Sequence, residues 1–422
     1  MTPQESGSPS APGTSSASGP AANELVPGGG VGARLRALDP NVRGMGWVSF
    51  VADLSSEIVY PLFPIFITTI LGAPVAVLGL IEGVAEGTAT VLRYPFGVLS
   101  DRLGRRRPFV FAGYGLSGLG KLLIAVAGVW GVALAGRVID RTGKGIRTAP
   151  RDALLGASVA PGQHGLAFGL HRTMDTMGAA VGPLIALAGL ELGLPFRWVL
   201  GLAAVPGLLS VVVIWAAVRE RPQAPEPAAF RLRLPASPAF RWLLAGSLVF
   251  GVGNSTDMFI LLKAKDVGLG ASGVILVYVL YNLVYAAASL PLGGLSDRIG
   301  QFPLVIAGYV VFAAVYLGFA VTGSIAGVAA LFAFYGLYIA ATEGTSKALI
   351  SRATPLRERA SAIGLQATLS GVATLLASSV GGVLWSAAGP WATFAFGAVC
   401  ALAAAVLMML GRGAVRRSLA AA

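Results

Sequence analysis

The sequence predicts an all-α polytopic membrane protein in which twelve transmembrane helices form two pseudo-symmetric six-helix halves. Of its 422 residues, 55% are hydrophobic and 12% charged, with a mean hydropathy of +0.76; in a soluble chain about a quarter would be charged. Apolar runs of about 20 residues or more, each long enough to cross about 30 Å of hydrocarbon as a helix, recur along the chain. The chain also repeats itself: GVLSDRLGRRRP at 97–108 returns as GGLSDRIG at 293–300, each with a proline two residues upstream, Pro95 and Pro291.

Taken in order, residues 1–44 are rich in Ser, Gly, Pro and Ala and hold no apolar stretch of signal-peptide length, so a disordered cytoplasmic tail is expected there. Twelve apolar segments follow at 46–71, 75–99, 107–127, 129–148, 164–190, 196–218, 240–263, 272–295, 303–323, 325–348, 358–388 and 390–411. The connections after segments 2, 4, 6, 8 and 10 hold many arginines, among them Arg105, Arg106, Arg107, Arg151, Arg221 and Arg357, whereas those after 1, 3, 9 and 11 hold no charge. The positive-inside rule then places both termini in the cytoplasm, and the inner or plasma membrane is the expected location. The Pro-, Arg- and Glu-rich stretch 219–239 reads as a linker between an N-terminal half, 45–218, and a C-terminal half, 240–412; residues 413–422 are a short cytoplasmic tail. The formal charge of +12 does not imply nucleic acid, because the basic residues fall in short loops rather than on one patch. The one cysteine, Cys400, sits in an apolar run and supports neither a disulfide nor a metal site.

The repeat extends beyond the two loops. Glu57, in Ser55-Ser56-Glu57, aligns with Asp257, in Ser255-Thr256-Asp257; Gly169 aligns with Gly364; and Asp140-x-x-x-Lys144 aligns with Glu343-x-x-x-Lys347. Two equivalent six-helix halves place a transport site near the midplane between them, with alternating access by rocking one half against the other. A small-molecule substrate and the lipid bilayer are the expected partners, and a monomer the expected unit.

GVLSDRLGRRRP resembles the signature loop of the major facilitator superfamily, G-x-L-x-D-R-x-G-R-[KR], between its second and third helices, and 293–300 resembles that family's degenerate second copy. The resemblance covers about residues 45–412 and implies the twelve-helix fold and secondary transport. It also implies a cytoplasmic latch built from Gly97, Asp101, Arg102, Gly104, Arg105 and Arg106, with Asp297 and Arg298 in the second copy. Gly178-Ala179-Ala180-Val181-Gly182-Pro183 in segment 5 resembles the G-x-x-x-G-P core that marks antiporters, although Ala186 and Leu187 replace the following glycine pair. The resemblance points toward export. The helix-4 arginine pattern of the family is altered: Arg137 is followed by Asp140, Arg141 and the run TGKGIRTAPRDAL. In that run Asp140 and Lys144, one turn apart, are expected to pair while Arg147 and Arg151 face the cytoplasm. Gly143-Lys144-Gly145 lacks phosphate-loop spacing, so no nucleotide site is expected.

Ionisable side chains inside hydrocarbon point to mechanism, since one left unpaired costs about 2.5–3.5 kcal/mol on an insertion scale. Glu57 and Asp257 stand out, each near the middle of repeat-related segments 1 and 7, and are the proton-coupling candidates; structural pairing with Arg93, Arg172 or Lys263 is the alternative. Substrate-cavity candidates are Asp53, Arg93, Arg137, Arg172, Asp175, Asn254, Tyr281, Asn282, Tyr285 and Tyr338. Arg172 and Asp175 lie one turn apart, and Tyr278, Tyr281, Asn282 and Tyr285 fall on one face of segment 8.

No cofactor, metal site, nucleophile motif or histidine–cysteine cluster is expected, so the chain reads as a transporter rather than an enzyme, with the proton gradient as driving force. Two directions stay open. One is proton-coupled efflux of small organic or drug-like molecules; the other is proton-coupled import or facilitation of an organic anion, metabolite or metal chelate, with Arg93, Arg172 and Lys121 as anion partners.

Overall fold

The computed structural model describes residues 38–159, 164–221, 237–353 and 359–420. The tail before residue 38 and the linker at 222–236 lie outside the described residues.

Helix α1, Pro40–Ile70, begins six residues before the apolar run, because the Asp39 side chain caps it by accepting from the Asn41 N–H at 2.8 Å. It breaks at Tyr60–Leu62, where Pro61 withholds a donor, and ends in a π-helical stretch, Phe66–Ile70. The other members of the first half are α2 (Val75–Leu103), α3 (Arg107–Val126), α4 (Trp130–Ala157), α5 (His164–Glu191) and α6 (Phe196–Ala217). The second half holds α7 (Pro238–Asp266), α8 (Ala271–Ile299), α9 (Gln301–Val321), α10 (Ile325–Arg352), α11 (Arg359–Ala388) and α12 (Pro390–Leu410). The C-terminal residues form a further helix, α13 (Arg412–Ala420), which buries Val415 and donates from Ser418 Oγ to the Ala353 carbonyl at 3.2 Å.

Among the described residues, eleven of these helices are long and apolar enough to cross a membrane. The expected fourth span, α4, has the length, 28 residues, but carries Arg137, Asp140, Arg141, Lys144, Arg147, Arg151 and Asp152. It tolerates them because it is enclosed by its own half. Its glycines allow backbone contact with α3: a Cβ on Gly136 would lie 2.7 Å from the Gly120 carbonyl oxygen, and one on Gly143 2.3 Å from that of Gly113. Within this packing Arg137 donates to both Glu82 oxygens, at 2.6 and 3.0 Å, and its guanidinium lies 5.1 Å from the Phe63 ring centroid. Arg141 pairs with Glu86 at 3.1 Å, and the Lys121 ammonium donates to Ser55 and Ser56 at 2.8 and 3.0 Å.

Two local expectations are corrected here. Asp140 pairs with Arg137, Arg141 and Lys121 at 3.7, 3.8 and 4.0 Å, not with Lys144, because the helix rotation turns it inward. Arg147 is buried over the Tyr114 ring, 4.1 Å from its centroid, rather than facing the cytoplasm, since α3 supplies an aromatic face for its guanidinium.

The halves meet along α2–α11 and α5–α8, which the internal repeat exchanges for one another. The α2–α11 contact is the tighter, and glycine is the reason: a Cβ on Gly79 would sit 2.3 Å from the Ser378 carbonyl oxygen, and one on Gly382 3.0 Å from that of Val75. At the end bearing the uncharged loops the halves are tied together. Ser386 Oγ accepts from the Ala76 N–H at 2.9 Å, Ser272 donates to Glu191 at 2.6 Å, and Lys265 donates to Thr69. Toward the end bearing the signature loop, α2 and α11 part to leave a cavity of about 270 Å³ lined by Arg93, Gly97, Asp101, Ala149 and Thr368.

Candidate functional site

Between the halves, near mid-span, lies a cavity of about 210 Å³ walled by α1, α5 and α8. Asp53 and Glu57, one turn apart, reach it from α1; Arg172, Asp175, Thr176 and Ala179 from α5; and Tyr278, Tyr281, Asn282 and Tyr285 from α8. Two glycines draw the first two helices together: a Cβ on Gly178 would lie 2.3 Å from the Phe50 carbonyl oxygen, and one on Gly182 2.7 Å from Glu57 Cβ. The segment-5 motif thus sets how closely α5 approaches the Glu57 turn.

The cavity is acidic. Glu57 accepts from the Tyr278 hydroxyl at 2.6 Å, a bond that crosses from one half to the other. Asp175 accepts from Ser49 at 2.6 Å and from Arg172 at 3.2 Å. Asp53 lines the same wall one turn before Glu57, so three carboxyl groups share the cavity. Arg172 also donates to the Tyr285 hydroxyl at 3.2 Å, which in turn donates to Glu343 at 2.7 Å, so α5 is bridged to α8 and α10 at the cavity mouth.

Of the residues singled out in the sequence, Asp53, Glu57, Arg172, Asp175, Tyr281, Asn282 and Tyr285 line this one cavity. The others lie elsewhere. Arg93 lines the separate α2–α11 cavity, and Arg137 is 2% exposed and locked to Glu82. Tyr338 is packed among Phe250, Phe312 and Tyr335 inside the second half. Asp257 occupies the break in α7, where residues 254–256 leave the helix, and accepts from Tyr335 at 2.6 Å. The Thr256 N–H released by that break is taken by Ser378 Oγ at 3.2 Å, and Asn254 lies in the same unwound stretch. Glu57 and Asp257 are each held by a tyrosine hydroxyl, and the pairing with Arg93, Arg172 or Lys263 offered as the alternative does not occur among the described residues.

Ser49 is the cavity partner that the sequence reading omitted. It lies four residues before Asp53 and eight before Glu57, so helical periodicity alone would have put it on the same stripe.

At the signature loop, Gly104 closes α2 at φ +60°, and Arg106 donates to Asp101 at 2.9 Å. Glu220 caps α3 by accepting from the backbone N–H groups of Arg106 and Arg107 at 3.1 and 2.9 Å. A Cβ on Gly97 would lie 3.0 Å from that of Ala149. Arg102, Arg105 and Arg298 are exposed at this end of the bundle, and the Asp297 side chain is outside the described residues.

Comparison with known proteins agrees with this architecture. The sequence model of the Major Facilitator Superfamily matches residues 45–264 and again 243–420, one match for each half. An uncharacterized MFS-type transporter of Methanocaldococcus jannaschii is 35% identical over 383 residues, covering 89% of this chain and 95% of that one. Among solved structures, a POT family transporter in complex with 5-aminolevulinic acid superposes with a TM-score of 0.75 at 12% identity, covering 88% of this chain and 96% of that one. A bacterial homologue of the human lysosomal transporter Spinster, in an inward-facing and occupied conformation, does so with a TM-score of 0.68 at 16% identity over 89% and 96% of the two chains. At such identities the likeness is one of fold. With the repeated halves, the signature loop and the family matches in agreement, the chain belongs to the Major Facilitator Superfamily and is a multi-pass membrane transporter rather than an enzyme.

Proposed function

We propose that this transporter is a proton-coupled exporter of small organic or drug-like molecules, working by alternating access in the cell membrane with both termini cytoplasmic. The observation that carries the reading is the charge inventory of the central cavity. Three carboxyl groups, Asp53, Glu57 and Asp175, face one arginine, Arg172, which is already paired with Asp175. Carboxyl groups clustered near mid-span and held by hydroxyls are groups that take up and release protons, and when ionised they favour a cationic or amphiphilic guest among the tyrosines. Export is supported by the contact of Gly178 and Gly182 with α1 beside Glu57, which gives the antiporter-like motif a place in the cavity wall. Anion import is less well served: Lys121 is buried against Ser55 and Ser56, and Arg93 lies outside the central cavity. On this topology the end tied by Ser386 and Ser272 would face outward, and the cavity beside Asp101 would face the cytoplasm.

The test is uptake into membrane vesicles energised with an imposed proton gradient, using ethidium and a panel of organic cations. Everted vesicles are expected to accumulate the probes, and Glu57→Gln to abolish the gradient-driven part. Accumulation confined to right-side-out vesicles refutes export, and a Glu57→Gln/Asp257→Asn protein with unchanged gradient-driven uptake refutes proton coupling at these positions.

A further inference from the structure

At the signature-loop end of the first half, a groove of about 960 Å³ opens between the start of α1 and the end of α6. It is lined by Asp39, Asn41, Arg43, Trp47, Arg219, Glu220 and Arg221, with the Glu220 carboxylate engaged by the backbone N–H groups of Arg106 and Arg107. The backbone of Arg219 and the side chain of Arg221 are held in place. Asn41 reads the backbone of Arg219 from both sides, accepting from its N–H at 2.8 Å and donating to its carbonyl at 3.0 Å. Arg221 is tied to Asp39, whereas Arg43 and Arg219 are exposed and have no carboxylate partner among the described residues. Across the rim, Arg107 donates to the Trp215 carbonyl at 2.8 Å.

Below these arginines the surface turns apolar in register. Ala216 lines the groove, and the same α6 face continues at helical spacing through Val212, Leu209, Leu208 and Val205, all exposed. Trp47 and Trp215, 56% and 70% exposed, flank the transition, as amphipathic rings do at a membrane–water boundary. A cationic head pocket that leads into an exposed apolar track matches an amphiphile lying along the bundle, not a soluble anion. The neighbouring chain segments carry no net negative charge: 1–37 holds Glu5 and Glu24 against Arg34 and Arg36, and 222–236 holds Glu226 against Arg231 and Arg233.

We propose that this groove is a binding site for an anionic phospholipid of the adjoining leaflet, its phosphate between Arg43 and Arg219 and an acyl chain along Val212 and Leu208. Basic pockets between helices at a membrane face are suited to such headgroups. Because Glu220, beside Arg219, caps the helix that follows the signature loop, an occupied groove would also stiffen the base of the latch.

The test uses the full chain reconstituted with brominated phospholipids, which quench nearby tryptophans. Subtracting the signal of a Trp47→Phe/Trp215→Phe protein isolates the groove from the other tryptophans. Brominated phosphatidylglycerol is expected to quench at a far lower mole fraction than brominated phosphatidylcholine. Arg43→Gln/Arg219→Gln should raise the phosphatidylglycerol fraction required by roughly 25-fold, since each arginine near a membrane surface is worth a factor of roughly five. Arg43→Lys/Arg219→Lys should keep the preference. On the unaltered chain, raising ionic strength should weaken it, a readout that does not depend on the variants folding. Equal quenching by the two lipids, no effect of the glutamine pair or of salt, or displacement by inorganic phosphate beyond that caused by sodium chloride at the same ionic strength would each overturn the proposal, the last by making the site one for a free anion.

Discussion

Replacing Glu82 by Gln tests whether the buried charges of the first half are scaffold or machinery. Glu82 and Arg137 form a two-point pair at 2.6 and 3.0 Å, both almost wholly buried, and the substitution leaves the guanidinium without its carboxylate. Removing one partner of a buried pair costs about 3–5 kcal/mol. Arg137 keeps Asp140 at 3.7 Å and the Phe63 ring at 5.1 Å, so the lower end of that range, about 3 kcal/mol, is expected. The companion variant, Glu82→Leu/Arg137→Met, removes both charges at similar volume and should recover stability to within about 1 kcal/mol of the parent. Reversible denaturation of purified protein in lipid–detergent mixtures reads the stability, and vesicle uptake per folded molecule reads the transport. Because Arg137 lies outside the central cavity, the double variant should still transport. A Glu82→Gln protein as stable as the parent would refute the energetic argument, and a stable but inactive double variant would refute the scaffold role.

Two further perturbations follow from the same geometry. Asp101 is partly exposed, and its pair with Arg106 at 2.9 Å should contribute no more than about 1 kcal/mol to stability, so Asp101→Asn should fold normally. The latch role that the signature-loop resemblance implies predicts slower turnover, by several-fold, with the apparent KM unchanged, and an unchanged turnover rate would reduce the loop to an orientation signal. Gly79→Val would place carbon where the Ser378 carbonyl already lies 2.3 Å from an ideal Cβ. The α2–α11 seam at the uncharged-loop end should then open, with transport lost and a cysteine at Ser386 becoming reactive to a membrane-impermeant thiol reagent; a transport-competent Gly79→Val protein would refute the close-contact account.

Much of the architecture is legible in the sequence because the bilayer imposes a length and a polarity on every span. Eleven of the twelve segments recur as apolar spans with ends within about six residues, and the two-half repeat follows from the echo of 97–108 at 293–300; α4 runs nine residues past its expected end, to Ala157, because its charged second half is buried by neighbouring helices. The candidate site is legible in part. Asp53, Glu57 and the face of Tyr278, Asn282 and Tyr285 are written in helical spacing, and they do share one cavity. Spacing along one helix says nothing about its rotation against a neighbour, however. Arg137, Tyr338 and Arg93 have the same credentials in the sequence as Arg172, yet only Arg172 reaches the central cavity.

By itself, then, the sequence determined the class, the repeat and the residues whose charge demands a reason inside a membrane, since hydrophobic length and the cost of burying charge act locally. Only the tertiary structure decided which charges are answered by neighbours and which face the cavity. Glycine contacts such as Gly178 and Gly182 on α1, and Gly79 and Gly382 between the halves, set the helix rotations and separations. Those rotations lock Arg137 to Glu82 and leave Glu57 facing Tyr278 across the two halves.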